Sequence, residues 1–226
     1  MMYAVILAAW SLFGSGPHAE QHFSFAVSAA AHVQVETANG KITVTTGRPG
    51  SAVEITAIKR ADTLNQVKAL GVDARRNGST VTLRAVYPSG CGTGSCGGEI
   101  SFTIVAPPGT TLDLRSSNGN VSADGIGADA TLTTSNGVVS ASYATFAGVK
   151  HVALSTSNGN VSLELPSSAK IGRLKMDTSV GRVSSDWPVR VDRSSFVGGR
   201  VNQTLSPGGA SVSLTTTNGS ITLKRI

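Results

Sequence analysis

The stretch Ser117-Asn118-Gly119-Asn120-Val121-Ser122-Ala123 carries the motif that decides the fold of this chain. An Asn-Gly pair is followed, two residues after the glycine, by a branched apolar residue, and polarity alternates from there. The second half of the sequence repeats this rule at Gly119, Gly137, Gly159, Gly181, Gly199 and Gly219. Asparagine precedes four of these glycines, at Asn118, Asn136, Asn158 and Asn218. The spacings are 18, 22, 22, 18 and 20 residues, and such a period is typical of repeat architectures whose units stack.

Alternating polarity on both sides of each glycine predicts two strands per repeat. Large apolar residues stand five positions before the glycine, at Leu114, Leu132, Leu154, Met176 and Leu214. Small hydroxyl residues stand three positions before it, at Ser116, Thr134, Thr156, Thr178 and Thr216. Because successive side chains of a strand point to opposite faces, both sets are predicted to face inward. The Asn-Gly pair is predicted to form the corner between the two strands, since both residues tolerate positive φ.

Asn-Gly between two alternating runs is also the strongest short signal for an antiparallel hairpin. Independent hairpins, as in an ordinary antiparallel sandwich, need no fixed distance between corners, whereas stacked parallel coils do. The near-constant repeat therefore favours an all-β fold of the β-solenoid (β-helix-like) type, with coils of about 20 residues. One coil buries too few side chains to be stable alone, so the stability must come from contacts between neighbouring coils.

The pattern changes upstream of residue 107. Long alternating segments at 52–59, 80–86 and 99–105 resemble ordinary strands, and residues 62–71 are predicted to form a short helix or a turn. The glycine-plus-two rule still holds at Gly40 and Gly98. We expect residues 20–106 to be an N-terminal antiparallel β region that caps the solenoid. Residues 107–226 are predicted to be the solenoid repeats, in one continuous domain with the cap.

Residues 1–19 are predicted to be a secretory signal peptide. Residues 1–13 are apolar and are followed by Gly14-Ser15-Gly16-Pro17-His18-Ala19, which resembles the core and cleavage region of such signals. No lysine or arginine precedes the apolar run, so a buried first strand is the alternative. The chain is accordingly expected to be exported to the periplasm or the extracellular space. No stretch approaches the roughly 20 apolar residues that a membrane span requires.

Both cysteines, Cys91 and Cys96, lie in the glycine-rich segment 89–98. Such a loop can bend enough to join the two sulfurs, and an exported chain favours the disulfide. Metal binding is the alternative, but two thiolates without a second pair or a nearby histidine make a poor zinc site. We therefore expect a Cys91–Cys96 disulfide, no metal and no cofactor.

The runs Ser117-Asn118-Gly119-Asn120-Val121-Ser122-Ala123 and Ser157-Asn158-Gly159-Asn160-Val161-Ser162-Leu163 carry a family resemblance, together with Asn39-Gly40 and the strand that follows it. Over residues 33–226 the chain resembles the bacterial "putative adhesin" family of β-strand-repeat domains of unknown function. The sequence departs from the motif at Val180 and Gly198, where the asparagine is missing. The resemblance implies a β-helix-like domain on the cell-envelope side of a bacterium, with no established catalytic residues to carry over.

The composition agrees with an extended all-β protein, because 5% aromatic and 14% charged residues leave little material for a bulky globular core or a helical bundle.

The placement of the acids argues against an enzyme. Glycoside chemistry needs clustered carboxylates, and the acids of the repeat half occupy different positions in their coils, so stacking is expected to scatter them. No catalytic residue is predicted. The alternative is a carbohydrate-active enzyme of the β-helix type.

Basic residues give the one hint of a binding site. The net charge is +6, and Arg173, Lys175, Arg182 and Arg200 stand in the later repeats. Arg182 and Arg200 each follow a glycine, so successive coils are predicted to stack them about 4.8 Å apart. Such a face would attract an anionic glycan. The alternative is that these residues only solvate the surface and discourage edge-to-edge association.

The sequence as a whole predicts a non-catalytic, exported interaction module of the cell envelope or cell surface. Its partner is expected to be an envelope protein or, through the basic face, an anionic polymer such as a cell-wall glycan. Nucleic acid is not expected, because the aromatic platforms that stack bases are missing. The final repeat is predicted to be the open end of the stack, where a partner could dock.

Overall fold

The computed structural model describes residues 9–11, 16–27, 31–46, 52–88, 98–192 and 197–226, with the backbone alone for 9–11. The first part contains β1 (Ala9–Ser11), β2 (His18–Ala26), β3 (His32–Asn39), β4 (Ile42–Thr46), β5 (Ala52–Arg60), α1 (Leu64–Ala69), β6 (Gly71–Asn77), β7 (Thr80–Val86) and β8 (Glu99–Ala106). The second part contains β9 (Thr111–Asn118), β10 (Val121–Ile126), β11 (Ala130–Asn136), β12 (Val139–Tyr143), β13 (His151–Asn158), β14 (Val161–Leu165), β15 (Ile171–Val180), β16 (Val183–Ser185), β17 (Gly199–Thr204), β18 (Ala210–Asn218) and β19 (Ile221–Arg225).

The strands form two sheets around one apolar core. Sheet A has the order β1-β2-β5-β8-β4-β10-β12-β14-β19-β16, and sheet B has the order β17-β15-β18-β13-β11-β9-β3-β7-β6. The inward side chains of both sheets belong to one continuous buried cluster. The predicted all-β class is confirmed by these two sheets. They form because the period-two alternation gives each strand one apolar face, which the opposite sheet covers.

The repeat unit is a rung, which consists of one strand of sheet B, a glycine corner and one strand of sheet A. Neighbouring rungs pair in parallel and in register, so that Val139 lies between Val121 and Val161. All three side chains are buried, with at most 1% of their surface exposed. The hairpin alternative is wrong for these corners, because the two strands of a rung join different sheets.

The spatial order of the last rungs differs from their order in the sequence. Rung β18–β19 pairs with β13–β14 on one side and with β15–β16 on the other. The prediction that the final repeat forms the open end of the stack is therefore wrong. The reason is β17, which runs antiparallel along β15, with Val201 opposite Met176, and leads the chain back toward β18. Gly199 begins this strand and is not a corner between two sheets.

The region before residue 107 is only partly antiparallel. Strands β1, β2, β5 and β8 form an antiparallel series in sheet A, and β6 pairs antiparallel with β7 in sheet B. However, β3 and β4, which are joined by the corner at Gly40, form a rung of the parallel stack, because β3 pairs with β9 and β4 pairs with β10. Of the two alternatives for residues 62–71, a short helix or a turn, the structure shows the helix, α1, which begins with a capping box between Thr63 and Gln66.

Two sequence predictions fall largely or wholly outside the described residues. Cys91 and Cys96 lie there, so the disulfide stays a prediction. Residues 1–8 and 12–15 of the predicted signal segment also lie there, while its expected end at Ala19 falls inside β2. In the part of the chain that the structure describes, no helix has the length and apolar character needed to cross a bilayer.

Candidate interaction surfaces

The corners of the stack are built from glycines that neighbouring rungs press against. Gly119, Gly137, Gly159, Gly181 and Gly219 all have φ between 150° and 156°. A Cβ atom on any of them would lie 1.9–2.3 Å from the carbonyl oxygen of the corner glycine in the next rung. Only glycine allows both this backbone conformation and this approach, so these positions set the spacing between rungs at the corner edge.

An asparagine ladder runs along the same edge. The side-chain amide nitrogen of Asn118 donates to Asn39 Oδ1, that of Asn136 to Asn118, that of Asn158 to Asn136 and that of Asn218 to Asn158. The four distances are 2.8–2.9 Å. Because every bond points the same way, each amide polarises the next. At Val180 the series ends, since valine occupies the position in register with Asn218.

A row of buried hydroxyls lies just inside the ladder. Ser116, Thr134, Thr156, Thr216 and Thr178 donate to the carbonyl oxygens of Gly40, Gly119, Gly137, Gly159 and Gly219, respectively. The distances are 2.8–3.0 Å. Sequence periodicity placed these residues inward but did not reveal their partners, which belong to neighbouring rungs. Since its polar groups bond to one another, the corner edge is a structural element and a poor place for a ligand.

Three of the four predicted basic residues lie together at one end of sheet B. Arg173 and Lys175 are exposed on alternate positions of β15, and Arg200 is exposed on the adjacent β17. Arg173 Nη2 donates to Asn202 Oδ1 at 3.4 Å. Arg200 Nε bonds to Asp177 Oδ2 at 2.9 Å, which partly neutralises its charge. We call Arg173, Lys175 and Arg200 the basic end of sheet B.

Arg182 does not join them. It follows the corner glycine between β15 and β16, where its backbone N–H donates to Ser220 Oγ at 3.3 Å. The predicted stacking of Arg182 over Arg200 is therefore wrong. Its physical reason is the reversal of the chain, because β17 is antiparallel to β15 and places Arg200 opposite Asp177.

A shallow groove of about 240 Å³ crosses the outer face of sheet A. Its floor follows a row of short hydroxyl side chains in register, Thr43, Ser122, Ser140 and Ser162. Asp124 and Glu164 also line it. The expectation that stacking scatters the acids is wrong for this pair, because β10 and β14 both flank β12 and face their acids to the same side.

The other acids of the repeat half have separate structural partners. Asp129 Oδ1 accepts the backbone N–H groups of Lys150 and His151 at 2.7 and 3.0 Å. Asp186 Oδ2 accepts the N–H of Arg225 at 2.9 Å. Asp113 forms an ion pair with Arg115 at 3.0 Å. Even Glu164 in the groove lies 3.4 Å from the ammonium group of Lys224.

Two titratable groups in the interior have perturbed pKa values. Burial lowers the pKa of Lys59, whose ammonium donates to the carbonyl oxygen of Leu70 at 3.1 Å. Burial raises the pKa of Tyr143, and the nearby charge of Asp129 adds to this rise. Tyr143 is fully covered and packs edge-to-face on Phe146, at 5.2 Å between ring centroids. Tyr143 has no exposed surface, and Lys59 keeps 8% of its surface exposed. Among the residues with described placement, no group of three or more acids, histidines or cysteines could hold a metal ion.

This architecture defines a class of all-β proteins in which two sheets are built from parallel rungs with glycine corners. The chain belongs to the Toastrack DUF4097 family, whose profile matches residues 24–224. This confirms the resemblance seen in the sequence. No curated protein matches the chain.

Two solved structures resemble this fold. One is described as a "putative cell adhesion protein" from Clostridium sporogenes ATCC 15579, with 14% identity, a TM-score of 0.62, and coverage of 92% of this chain and 100% of that one. The other is described as a "putative adhesin" from Bacteroides fragilis NCTC 9343, with 11% identity, a TM-score of 0.36, and coverage of 92% and 97%. At such low identity, the first similarity shows a common fold and nothing further.

Proposed function

We propose that this protein is a non-catalytic, exported interaction module of the cell envelope or cell surface. The observation that carries the proposal is the rigid platform made by the rungs, whose corner edge is fixed by hydrogen bonds while two broad outer sheet faces stay open. Broad, preorganised surfaces suit a macromolecular partner, because little ordering cost remains when the partner binds. The name given to the Clostridium neighbour, which refers to cell adhesion, agrees with such a role.

We infer further that the stack is a β-solenoid with coils of about 20 residues. The parallel, in-register pairing of rungs supports this, as does the glycine spacing of 18 and 22 residues in the regular part. The antiparallel series β1-β2-β5-β8 would then cap one end of sheet A. In a solenoid the two sheet faces extend with each coil, so a long partner can contact several coils at once.

The partners of the acids support the non-catalytic part of the proposal. Asp113, Asp129, Asp177 and Asp186 each bind a different group in a different place. Asp124 and Glu164 share the groove, and this pair is the one to test for carbohydrate chemistry. Release of sugar products from cell-wall polysaccharides by the protein, abolished by Asp124→Asn with Glu164→Gln, would overturn the proposal.

The main experiment determines the cell fraction that contains the protein and then tests whether the purified protein binds a partner from envelope extract. A tagged full-length protein is expected in the envelope or secreted fraction, and recovery in the cytosolic fraction alone would contradict export. The purified protein should retain a partner from envelope extract. Ser140→Trp blocks the outer face of sheet A, and Thr133→Trp blocks that of sheet B in the same manner. One of the two variants should lose the partner, and full retention by both would exclude the sheet faces.

A second candidate is binding of an anionic glycan at the basic end of sheet B. The specific observation is that β15 and β17 bring Arg173, Lys175 and Arg200 together, although Arg200 lies more than twenty residues further along the chain. The charge on Arg200 is already paired with Asp177, so Arg173 and Lys175 should dominate the attraction. Charge attraction of this kind falls as salt rises.

Retention on an anionic-glycan column tests this candidate. Arg173→Gln with Lys175→Gln should elute at clearly lower salt than the parent protein. The control is Lys41→Gln with Lys150→Gln, which removes the same charge from exposed positions outside the basic end of sheet B. Arg182→Gln should have little effect, because this residue lies apart. Equal shifts for the two double variants would show that net charge alone governs retention.

A further inference from the structure

Rung β18–β19 occupies a slot between two rungs that precede it in the sequence. Strands β14 and β15 are joined by residues 166–170 alone, yet β15 does not pair with β13. Strand β18 lies between β13 and β15 and pairs in parallel with both. Strand β19 likewise lies between β14 and β16. We call this rung, β18–β19, the wedge, and we call the space that it fills between β13–β14 and β15–β16 the slot.

On both sides the wedge is held by in-register strand pairs and inward apolar side chains like those of the other rungs, while the asparagine ladder continues on the β13–β14 side only. Leu214 lies in register between Leu154 and Met176. Asn218 donates its amide to Asn158 on one side, and Thr178 donates its hydroxyl to the carbonyl of Gly219 on the other, both at 2.8 Å. The inward side chains Val212, Leu214, Ile221 and Leu223 have at most 1% of their surface exposed. An empty slot would therefore expose apolar surface on two rungs at once.

The slot recognises the wedge by features that belong to the rung motif. Backbone register, a branched residue two positions after the glycine and the glycine corner itself are shared by the wedge and both neighbours. In stacked repeats, stability comes from such neighbour contacts, and these do not depend on how the rungs are connected. The same rung from another copy would make identical contacts.

The connection that leads into the wedge is short and turns sharply. Residues 205–209 join β17 to β18, and Gly209 N–H bonds back to Ser206 at 3.2 Å. Gly209 crosses the start of β15 so closely that a Cβ atom would lie 2.5 Å from the carbonyl oxygen of Lys170. Five extended residues reach at most about 17 Å. Opening this turn would carry the wedge away from its own slot as one unit.

We propose that two copies of this chain exchange rung β18–β19, so that the wedge of each copy fills the slot of the other. Exchange of an identical element needs no new interface in the slots, and only the conformation of residues 205–209 differs between the two states. The partner that this slot fits is thus a second copy of the same chain. A chain that folds at high concentration should meet the wedge of another copy before its own slot closes.

Cross-linking between full-length copies tests the proposal. Ser155 on β13 and Thr215 on β18 are register neighbours on the outer face of sheet B. Their spacing, near 4.8 Å, falls in the range that a disulfide can bridge. One tagged copy carries Ser155→Cys and the other carries Thr215→Cys, both with Cys91→Ser and Cys96→Ser. The copies are refolded together and oxidised.

The matched control is the pair Thr133→Cys and Ser155→Cys, which are also register neighbours but lie on consecutive rungs that cannot exchange through this hinge. We expect at least several-fold more cross-link between copies for the Ser155–Thr215 pair than for the control. Equal yields would overturn the proposal. Deletion of Pro207 and Gly208 offers a second measurement, because a shortened connection prevents return to the chain's own slot. The dimer fraction should then rise several-fold, and a folded variant that stays monomeric would also refute the exchange.

Discussion

Replacing Gly137 with alanine tests the physical basis of the stack most directly. Gly137 has a φ of +151°, a conformation that costs a non-glycine residue about 1–3 kcal/mol. The new Cβ atom would also lie 2.3 Å from the carbonyl oxygen of Gly119, whereas carbon and oxygen normally approach to about 3.3 Å. The two rungs would therefore have to separate by about 1 Å at this corner.

Such a separation stretches the hydrogen bonds that cross the corner. Thr134 donates to Gly119 O at 2.9 Å, and Val138 N–H donates to Asn120 Oδ1 at 2.9 Å. Each bond contributes about 1 kcal/mol, so we expect a total loss of about 3–5 kcal/mol. That is a large part of the about 5–15 kcal/mol by which a typical domain is stable.

Gly148→Ala is the matched control. Gly148 also has a positive φ, +82°, but nothing lies within 4 Å of the position of its Cβ atom. Gly148→Ala should lower the free energy of unfolding by only about 1–2 kcal/mol, which is the cost of the backbone conformation alone. Urea unfolding followed by far-ultraviolet circular dichroism gives both free energies, provided that the slope with denaturant stays the same. Equal losses in the two variants would refute the claim that contact between corners sets the spacing of the rungs.

Three further predictions concern the interior. Val139→Asp should abolish the cooperative melting transition, because position 139 is fully buried and an unpaired charge there costs several kcal/mol; a variant that melts like the parent would show that the residue faces water. Tyr143→Phe should keep or raise stability, by up to about 1 kcal/mol, because the buried hydroxyl has no hydrogen-bond partner among the described protein groups; a clear loss in urea unfolding would contradict this. The free energy of unfolding should rise with pH between the lowered pKa of Lys59 in the folded protein and the ordinary value of 10.5, because the unfolded chain binds more protons in that window. Lys59→Met should flatten this rise. An unchanged pH profile in the variant would exclude Lys59 as the source of the rise.

The candidate surfaces could be predicted from the sequence only in part. Arg173 and Lys175 alternate on one strand, so their common face follows from period two. The position of Arg200 beside Arg173 and Lys175 could not be predicted, because it depends on the antiparallel pairing of β17 with β15, whereas the repeat pattern predicts parallel pairing there. Likewise Asp124 and Glu164 meet in one groove through strand register across β12, which no local motif reports. The glycine and proline at 207–209 were the available signal that the chain turns back there.

The local geometry of each rung follows from short stretches of the amino-acid sequence. Alternation fixed which side chains face inward, and Asn-Gly fixed where the chain turns, since both effects depend on a few adjacent residues. Which rungs become neighbours in the stack follows from the folded chain as a whole. All rungs share one motif, so any neighbour satisfies the same backbone bonds, and the order is set by long-range pairing and by the connections that must cross. For this reason β18–β19 lies inside the stack, and Arg182 lies apart from Arg200.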